Sequence, residues 1–232
     1  MLEPSVQSEL HGRLLRLRLN RPDRRNALDL NLCQSLADEL DRANRNPSVG
    51  AILLTGNGRH FCSGMDLDEA LRTDSERLAS LHERLFSAGS RMNKPLIAGV
   101  HGAALAGGCG LVANAHIVIA STDAVFGLSE IRIGLWPFLI FRSVVDAIGD
   151  RRALELSVTG RLISAEDALR MGLVHQIAAP GELEGKSLEI AEQTATASAV
   201  ALASGFAYIR QTRGQSAEAA GAIGRQIRRQ VI

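Results

Sequence analysis

The sequence predicts an α/β core followed by a helical appendage. Three observations carry this. Apolar strand-like runs alternate with segments of helical spacing up to about residue 177. One of those runs, 95–100, opens directly into a stretch of small residues from Gly102 to Gly110. From Glu182 onward the chain is alanine-rich and polar, with helical spacing and no further strand. At 232 residues the chain is long enough for a sizeable core.

In order, Leu15, Leu17 and Leu19 alternate with Arg16 and Arg18, which predicts a half-buried strand. A turn follows at Asn20-Arg21-Pro22-Asp23. Leu32, Leu36 and Leu40 recur at helical spacing behind Asp29, a residue suited to cap the helix, and Asn46-Pro47 ends it. Residues 51–55 read as a buried strand with a turn at Gly56-Asn57-Gly58. Residues 60–67 form a small-residue loop opening into a short helix, and Leu78, Leu81 and Leu85 mark a helix reaching about Met92. Strands are predicted at 117–120, 124–126 and 173–177, and helices at 139–148 and 151–158. Ser164, with Glu166 and Asp167 behind it, caps a helix over 165–171 that Gly172 stops.

Composition excludes several classes. The formal charge is +1, and Lys94 and Lys186 are the two lysines, so no basic footprint for nucleic acid stands out. The odd, widely spaced Cys33, Cys62 and Cys109 predict reduced thiols rather than a disulfide framework. No basic segment followed by an apolar run opens the chain, and no apolar stretch is long enough to span a membrane. A cytoplasmic location is the expectation. No His, Cys or Asp cluster has metal-ligand spacing, so no metal is expected.

The chemistry centres on 100–111, read as strand, tight glycine turn and helix start. Glycines let a ligand approach the backbone, and a helix N-terminus offers free N–H groups to negative charge. The turn is neither a P-loop nor a dinucleotide-binding G-x-G-x-x-G. Close helix–strand packing explains the glycines equally well. A second small-residue turn spans 61–66, and two convergent N–H groups make an oxyanion hole.

Five segments then appear together: Asn20-Arg21-Pro22 with Arg25-Asn26-Ala27-Leu28, Phe61-Cys62-Ser63-Gly64-Met65-Asp66-Leu67, His101 through Gly110, Phe126-Gly127-Leu128-Ser129-Glu130, and Thr159-Gly160 through Met171-Gly172-Leu173-Val174. In this order, over about residues 14–212, the sequence resembles the crotonase superfamily, the enoyl-CoA hydratase/isomerase family. The resemblance implies a spiral of ββα turns over 1–195 and a helical oligomerisation region over 196–232, in trimers or dimers of trimers. It also implies a coenzyme A thioester substrate and no prosthetic group. The oxyanion donors would be the backbone N–H groups of Met65 and Gly107, with Glu130 as acid–base residue. Arg25, Ala27, Phe61, Gly64, Asp66 and Leu67 would contact the coenzyme A portion, and Gly110, Trp136 and Phe138 would line the acyl pocket. Members of that family commonly continue with a further helical segment at the C-terminus.

The chain departs from the pattern at two places. Typical hydratases carry a second glutamate where this chain has Gly110, which leaves one carboxylate. After Gly134 the common small-residue pattern is replaced by Phe138-Leu139-Ile140-Phe141-Arg142. Double-bond isomerisation and hydration of an enoyl-CoA both stay open, as does an acyl-CoA-binding relative without activity. RNA binding, a role found within the family, is disfavoured by the charge.

Overall fold

A computed structural model describes residues 3–70 and 75–231. Residues 1–2, 71–74 and 232 of the two predicted regions lie outside the described residues. The chain opens with β1 (Val6–His11) and β2 (Leu14–Leu19), an antiparallel hairpin. Gly12, with φ +57°, turns it, a backbone state that glycine adopts without steric penalty. The next elements are α1 (Leu30–Arg45), β3 (Ala51–Gly56), α2 (Leu67–Ala70), α3 (Ser75–Phe86), α4 (Ala88–Arg91) and β4 (Leu96–Val100). After them come β5 (Ala103–Leu105), α5 (Gly107–Asn114), β6 (Ile117–Ser121), β7 (Val125–Gly127), α6 (Phe138–Ile148) and α7 (Asp150–Thr159). The chain continues through β8 (Leu162–Ser164), α8 (Ala165–Met171), β9 (Gln176–Ala178), α9 (Leu183–Ala195), α10 (Ala199–Thr212) and α11 (Ala217–Val231).

The described strands form two sheets. The larger runs β1-β2-β3-β4-β6-β9, parallel from β2 onward; the smaller runs β5-β7-β8. Alternation along β2 explains its place. Leu15, Leu17 and Leu19 face a core that includes Leu32, Leu36 and Leu40 of α1, while Leu14 joins the opposite face. There Ala51, Leu53, Ile97 and Ile119 meet Leu183, Ala191 and Ala195 of α9. Asp29 caps α1 by accepting from the Leu32 amide at 2.7 Å, and Ser164 caps α8 by accepting from the Asp167 amide at 3.1 Å. Helices α10 and α11 contain no buried residue and pack on one another. No described helix is long and apolar enough to cross a membrane.

Four expectations are corrected. The strand read at 173–177 begins only at Gln176, because Leu173 and Val174 both donate to the Ala168 carbonyl and complete the α8 cap. The helix read to Met92 breaks at Ser87 into α3 and α4. The glycine turn contains an extra strand, β5, paired with β7. Two further strands, β1 and β8, carried no alternation signal: all but two residues of β1 are exposed, and β8 is three residues long.

One close approach positions everything that follows. A Cβ on Gly108 would lie 2.2 Å from the Cys62 carbonyl oxygen and 2.9 Å from its carbon, both backbone atoms. Gly108→Ala is expected to destabilise the protein by about 1–3 kcal/mol or more. Gly185→Ala, on the exposed side of α9 with no atom within 4 Å of the new methyl, is expected to stabilise it by about 0.5–1 kcal/mol. Denaturant midpoints of the two variants check this.

Candidate active site

The segment 61–66 lies between two other backbones and hydrogen-bonds to both. Towards β5, Phe61 N donates to His101 O, Cys62 N to Ala103 O and Leu105 N to Cys62 O, each at 3.0 Å. Towards the 25–28 turn, Ser63 N donates to Arg25 O at 3.0 Å, Leu28 N to Gly64 O at 2.8 Å and Asp66 N to Leu28 O at 3.0 Å. Asn26, fully buried with φ +53°, fastens that turn by donating to the carbonyls of Asn57 and His60 at 2.9 and 2.8 Å. Asn tolerates this left-handed backbone better than most residues.

The next residues turn sharply. Gly64 has φ +96°, and a Cβ there would stand 2.8 Å from the Ala106 Cβ and 3.4 Å from the Gly107 nitrogen. Ala106, immediately before α5, adopts φ +48° and ψ −120°, a conformation costing a non-glycine residue about 1–3 kcal/mol. Its amide donates to the Gly127 carbonyl at 2.8 Å. The Met65 amide follows Gly64 and the Gly107 amide follows Ala106, so the two turns bring these amides into one region. Among the described residues, no carbonyl or side chain accepts a hydrogen bond from either.

Both residues line a cavity of about 330 Å³. Its walls are mostly apolar, with Leu28, Phe86, Trp136, Phe138 and Ile140 among them, and its polar members are Ser63, His82, Ser129 and Glu130. Glu130 starts a short 3-10 turn after β7. Its Oε2 is buried and has no hydrogen-bond partner among the described residues. Burial pushes the carboxyl above its ordinary value, against a smaller opposing contribution from its own backbone N–H. Burial and then the Glu130 charge push the Cys109 thiol up to about 12, which makes that residue a packing group.

The residues expected at the site separate into three groups. Met65, Gly107, Glu130, Trp136, Phe138 and Leu67 share the cavity. Arg25, Ala27 and Asp66 line an adjoining open groove, which also includes Met65, Leu67 and Ser63. Asp66 is nearly buried and ion-paired to Arg21 at 3.2 Å and Arg24 at 3.3 Å. Burial opposes its charge, but these arginines hold the carboxyl below its usual value. Phe61, Gly64 and Gly110 line neither space. Phe61 is fully buried in the core, Gly64 makes the turn, and Gly110 is covered. A Cβ on Gly110 would meet Ile140 Cγ2 at 2.4 Å and Phe86 Cδ1 at 3.2 Å.

His82 was not anticipated. It lines the cavity from α3, and its Nε2 is buried and unpartnered among the described residues. Its signal is positional: four residues after Leu78 and three before Leu85, it occupies the apolar face of its helix. His116, by contrast, is a packing histidine. Its Nδ1 accepts from the Leu96 amide at 2.9 Å, and its Nε2 lies 3.1 Å from the Gly89 carbonyl.

Comparison with known proteins agrees with this architecture. The sequence profile described as Enoyl-CoA hydratase/isomerase matches residues 9–228. An enoyl-CoA hydratase of Mycobacterium tuberculosis is 34% identical over 217 residues, covering 90% of this chain and 81% of the relative. The 2,3-dehydroadipyl-CoA hydratase of Escherichia coli is 34% identical over 218 residues, covering 93% and 85%. The crystal structure of an enoyl-CoA hydratase from Mycobacterium smegmatis superposes with a TM-score of 0.92 at 31% identity, covering 97% of this chain and 90% of that one. Proteins of this family act on coenzyme A thioesters without a prosthetic group. The chain belongs to the enoyl-CoA hydratase/isomerase family, the crotonase family, and is an enoyl-CoA hydratase-like enzyme.

Proposed function

We propose that this enzyme moves a proton on an enoyl-CoA through a thioester enolate, with Met65 N–H and Gly107 N–H as the oxyanion hole and Glu130 as its acid–base group. The observation that carries this reading is the buried Oε2 of Glu130, unpartnered among the described residues, in the same cavity as two amides from which no described residue accepts a hydrogen bond. Negative charge develops on the thioester oxygen when the α-proton leaves. Fixed donors in a low-dielectric site stabilise it, and losing one such donor typically costs about 3–4 kcal/mol of barrier. Burial supports the role of Glu130, since a raised carboxyl is a stronger base once ionised and a competent acid once protonated.

Isomerisation fits the geometry best. Glu130 takes the proton from C2 of a 3-enoyl-CoA, the C–H pair becomes the enolate, and the proton returns at C4 as the double bond moves to C2–C3. One carboxylate suffices. Ile140 stands against Gly110, where the typical hydratase of the family carries a second glutamate. Hydration is the second reading, supported by relatives that are hydratases. In either case the groove beside the cavity accommodates the coenzyme A portion. Arg25 would face its phosphates, Ala27, Asp66 and Leu67 would form its walls, and Phe61 and Gly64 would support it from behind.

The helices of 196–232 form the oligomerisation region in this reading. They bury no residue within the protomer, and Val200, Ile209 and Val231 are exposed. Sedimentation at micromolar concentration is expected to give a trimer or dimer of trimers; a monomer contradicts it.

Glu130→Gln is expected to bind acyl-CoA but lose about 10²–10⁴-fold in turnover and in exchange of the α-proton into deuterated water. The wild-type rate is expected to rise with pH through a pKa above the ordinary glutamate value, and that limb disappears in the variant. Stability moves oppositely. A glutamate raised on folding loses stability as pH rises from the unfolded value through the folded one. Glu130→Gln is therefore expected to be more stable than wild type at neutral pH and equal to it below the unfolded pKa. Turnover, exchange and melting measured on one preparation test all three.

A further inference from the structure

Oε2 of Glu130 is not the only buried polar atom of the cavity wall without a partner among the described residues. His82 is only 6% exposed, lines the same cavity, and has a buried Nε2 that no described residue hydrogen-bonds. Buried polar atoms are nearly always paired, so an exception at the wall of a ligand cavity requires an explanation. The open volume beside the imidazole is the cavity itself. Nε2 is itself covered, so a hydrogen bond to a ligand requires the ring to turn about its Cβ–Cγ bond, a broad and roughly two-fold torsion.

The ring's place along the acyl path follows from its neighbours. Phe86 Cζ lies 3.1 Å from where a Cβ of Gly107 would stand, which puts Phe86 beside the proposed oxyanion donor. His82 stacks at a tilt on Phe86, with ring centroids 5.5 Å apart. Both rings stand on α3, one turn apart, and both line the cavity. Burial holds the imidazole neutral, so it offers one N–H donor and one acceptor nitrogen rather than a positive charge.

We propose that His82 is a specificity-determining residue that hydrogen-bonds a neutral oxygen, a hydroxyl or a carbonyl, on the acyl chain beyond its β-carbon. This rests on the reading that the acyl group occupies this cavity. A plain aliphatic chain leaves the buried nitrogen unpaired, whereas an oxygenated chain satisfies it. The preference is set by the difference between the two, and the apolar remainder of the wall supplies affinity common to both.

The test compares hexanoyl-CoA with 5-hydroxyhexanoyl-CoA and 5-oxohexanoyl-CoA by calorimetry on wild type, His82→Phe and His82→Gln. These acyl groups are saturated, so binding is read without turnover. Wild type is expected to prefer the oxygenated chains. His82→Phe keeps the ring and is expected to reduce that preference about 5- to 100-fold, chiefly by weakening the oxygenated ligands. His82→Gln, whose amide reaches towards the Nε2 position, is expected to restore part of it. In wild type the His82 imidazole ¹⁵N signals are expected to shift more with the oxygenated ligands than with hexanoyl-CoA. An unchanged preference in folded His82→Phe, or identical imidazole shifts with all three ligands, overturns the proposal. Neither readout involves proton transfer, so failure here leaves Glu130 in place, and inactive Glu130 leaves this result standing.

Discussion

The approach of the Cys62 carbonyl to the α-carbon of Gly108 is the constraint on which the site depends. The same oxygen accepts from Leu105, which ties the 61–66 segment to β5 one turn before α5 begins. A side chain at Gly108 would push those backbones apart. The strained Ala106 and the left-handed Gly64 lie immediately beyond that contact, and each precedes an amide with no acceptor among the described residues. Strain at such positions persists only where the surroundings over-determine it. Here they do, through the Ala106–Gly127 and Leu28–Gly64 hydrogen bonds at 2.8 Å.

Gly110 and Ile140 make sense together rather than separately. The sequence shows a missing carboxylate and, thirty residues on, an aliphatic side chain in an unusual segment. In the folded chain the second occupies the space into which a side chain on the first would project. The space beside Gly110 is filled by a hydrophobic group from α6. In the proposed reading this packing leaves no room there for a second carboxylate, and Glu130 acts as the single acid–base group.

Much of this was legible in the residues. Leu15, Leu17 and Leu19 announced β2, Asp29 and Ser164 announced their helices, and the glycine-rich run announced a close backbone approach. What escaped was decided by partners distant in sequence. Ala103–Leu105 is a strand because β7 and residue 62 pair with it, not because of any alternation of its own. His82 escaped because a histidine between leucines has no motif; only burial without a hydrogen-bond partner separates it from an ordinary polar residue. The roles proposed for Met65 and Gly107 lie in their backbone amides, which side-chain identity does not encode, and the resemblance to a family had to point to them.

The most direct test of the proposed oxyanion hole is spectroscopic. Isotope-edited infrared spectra of a thioester with a ¹³C carbonyl, bound to the wild-type enzyme, report the polarisation of that bond by whatever donates to its oxygen. Amide spectra of the same complex report the donors. The account predicts a lower carbonyl stretching frequency on binding, with downfield shifts of the Met65 and Gly107 amide protons and little change at Ala106, whose amide is already engaged by Gly127. A carbonyl frequency equal to that of the free thioester, with both amides unmoved at saturation, would contradict it.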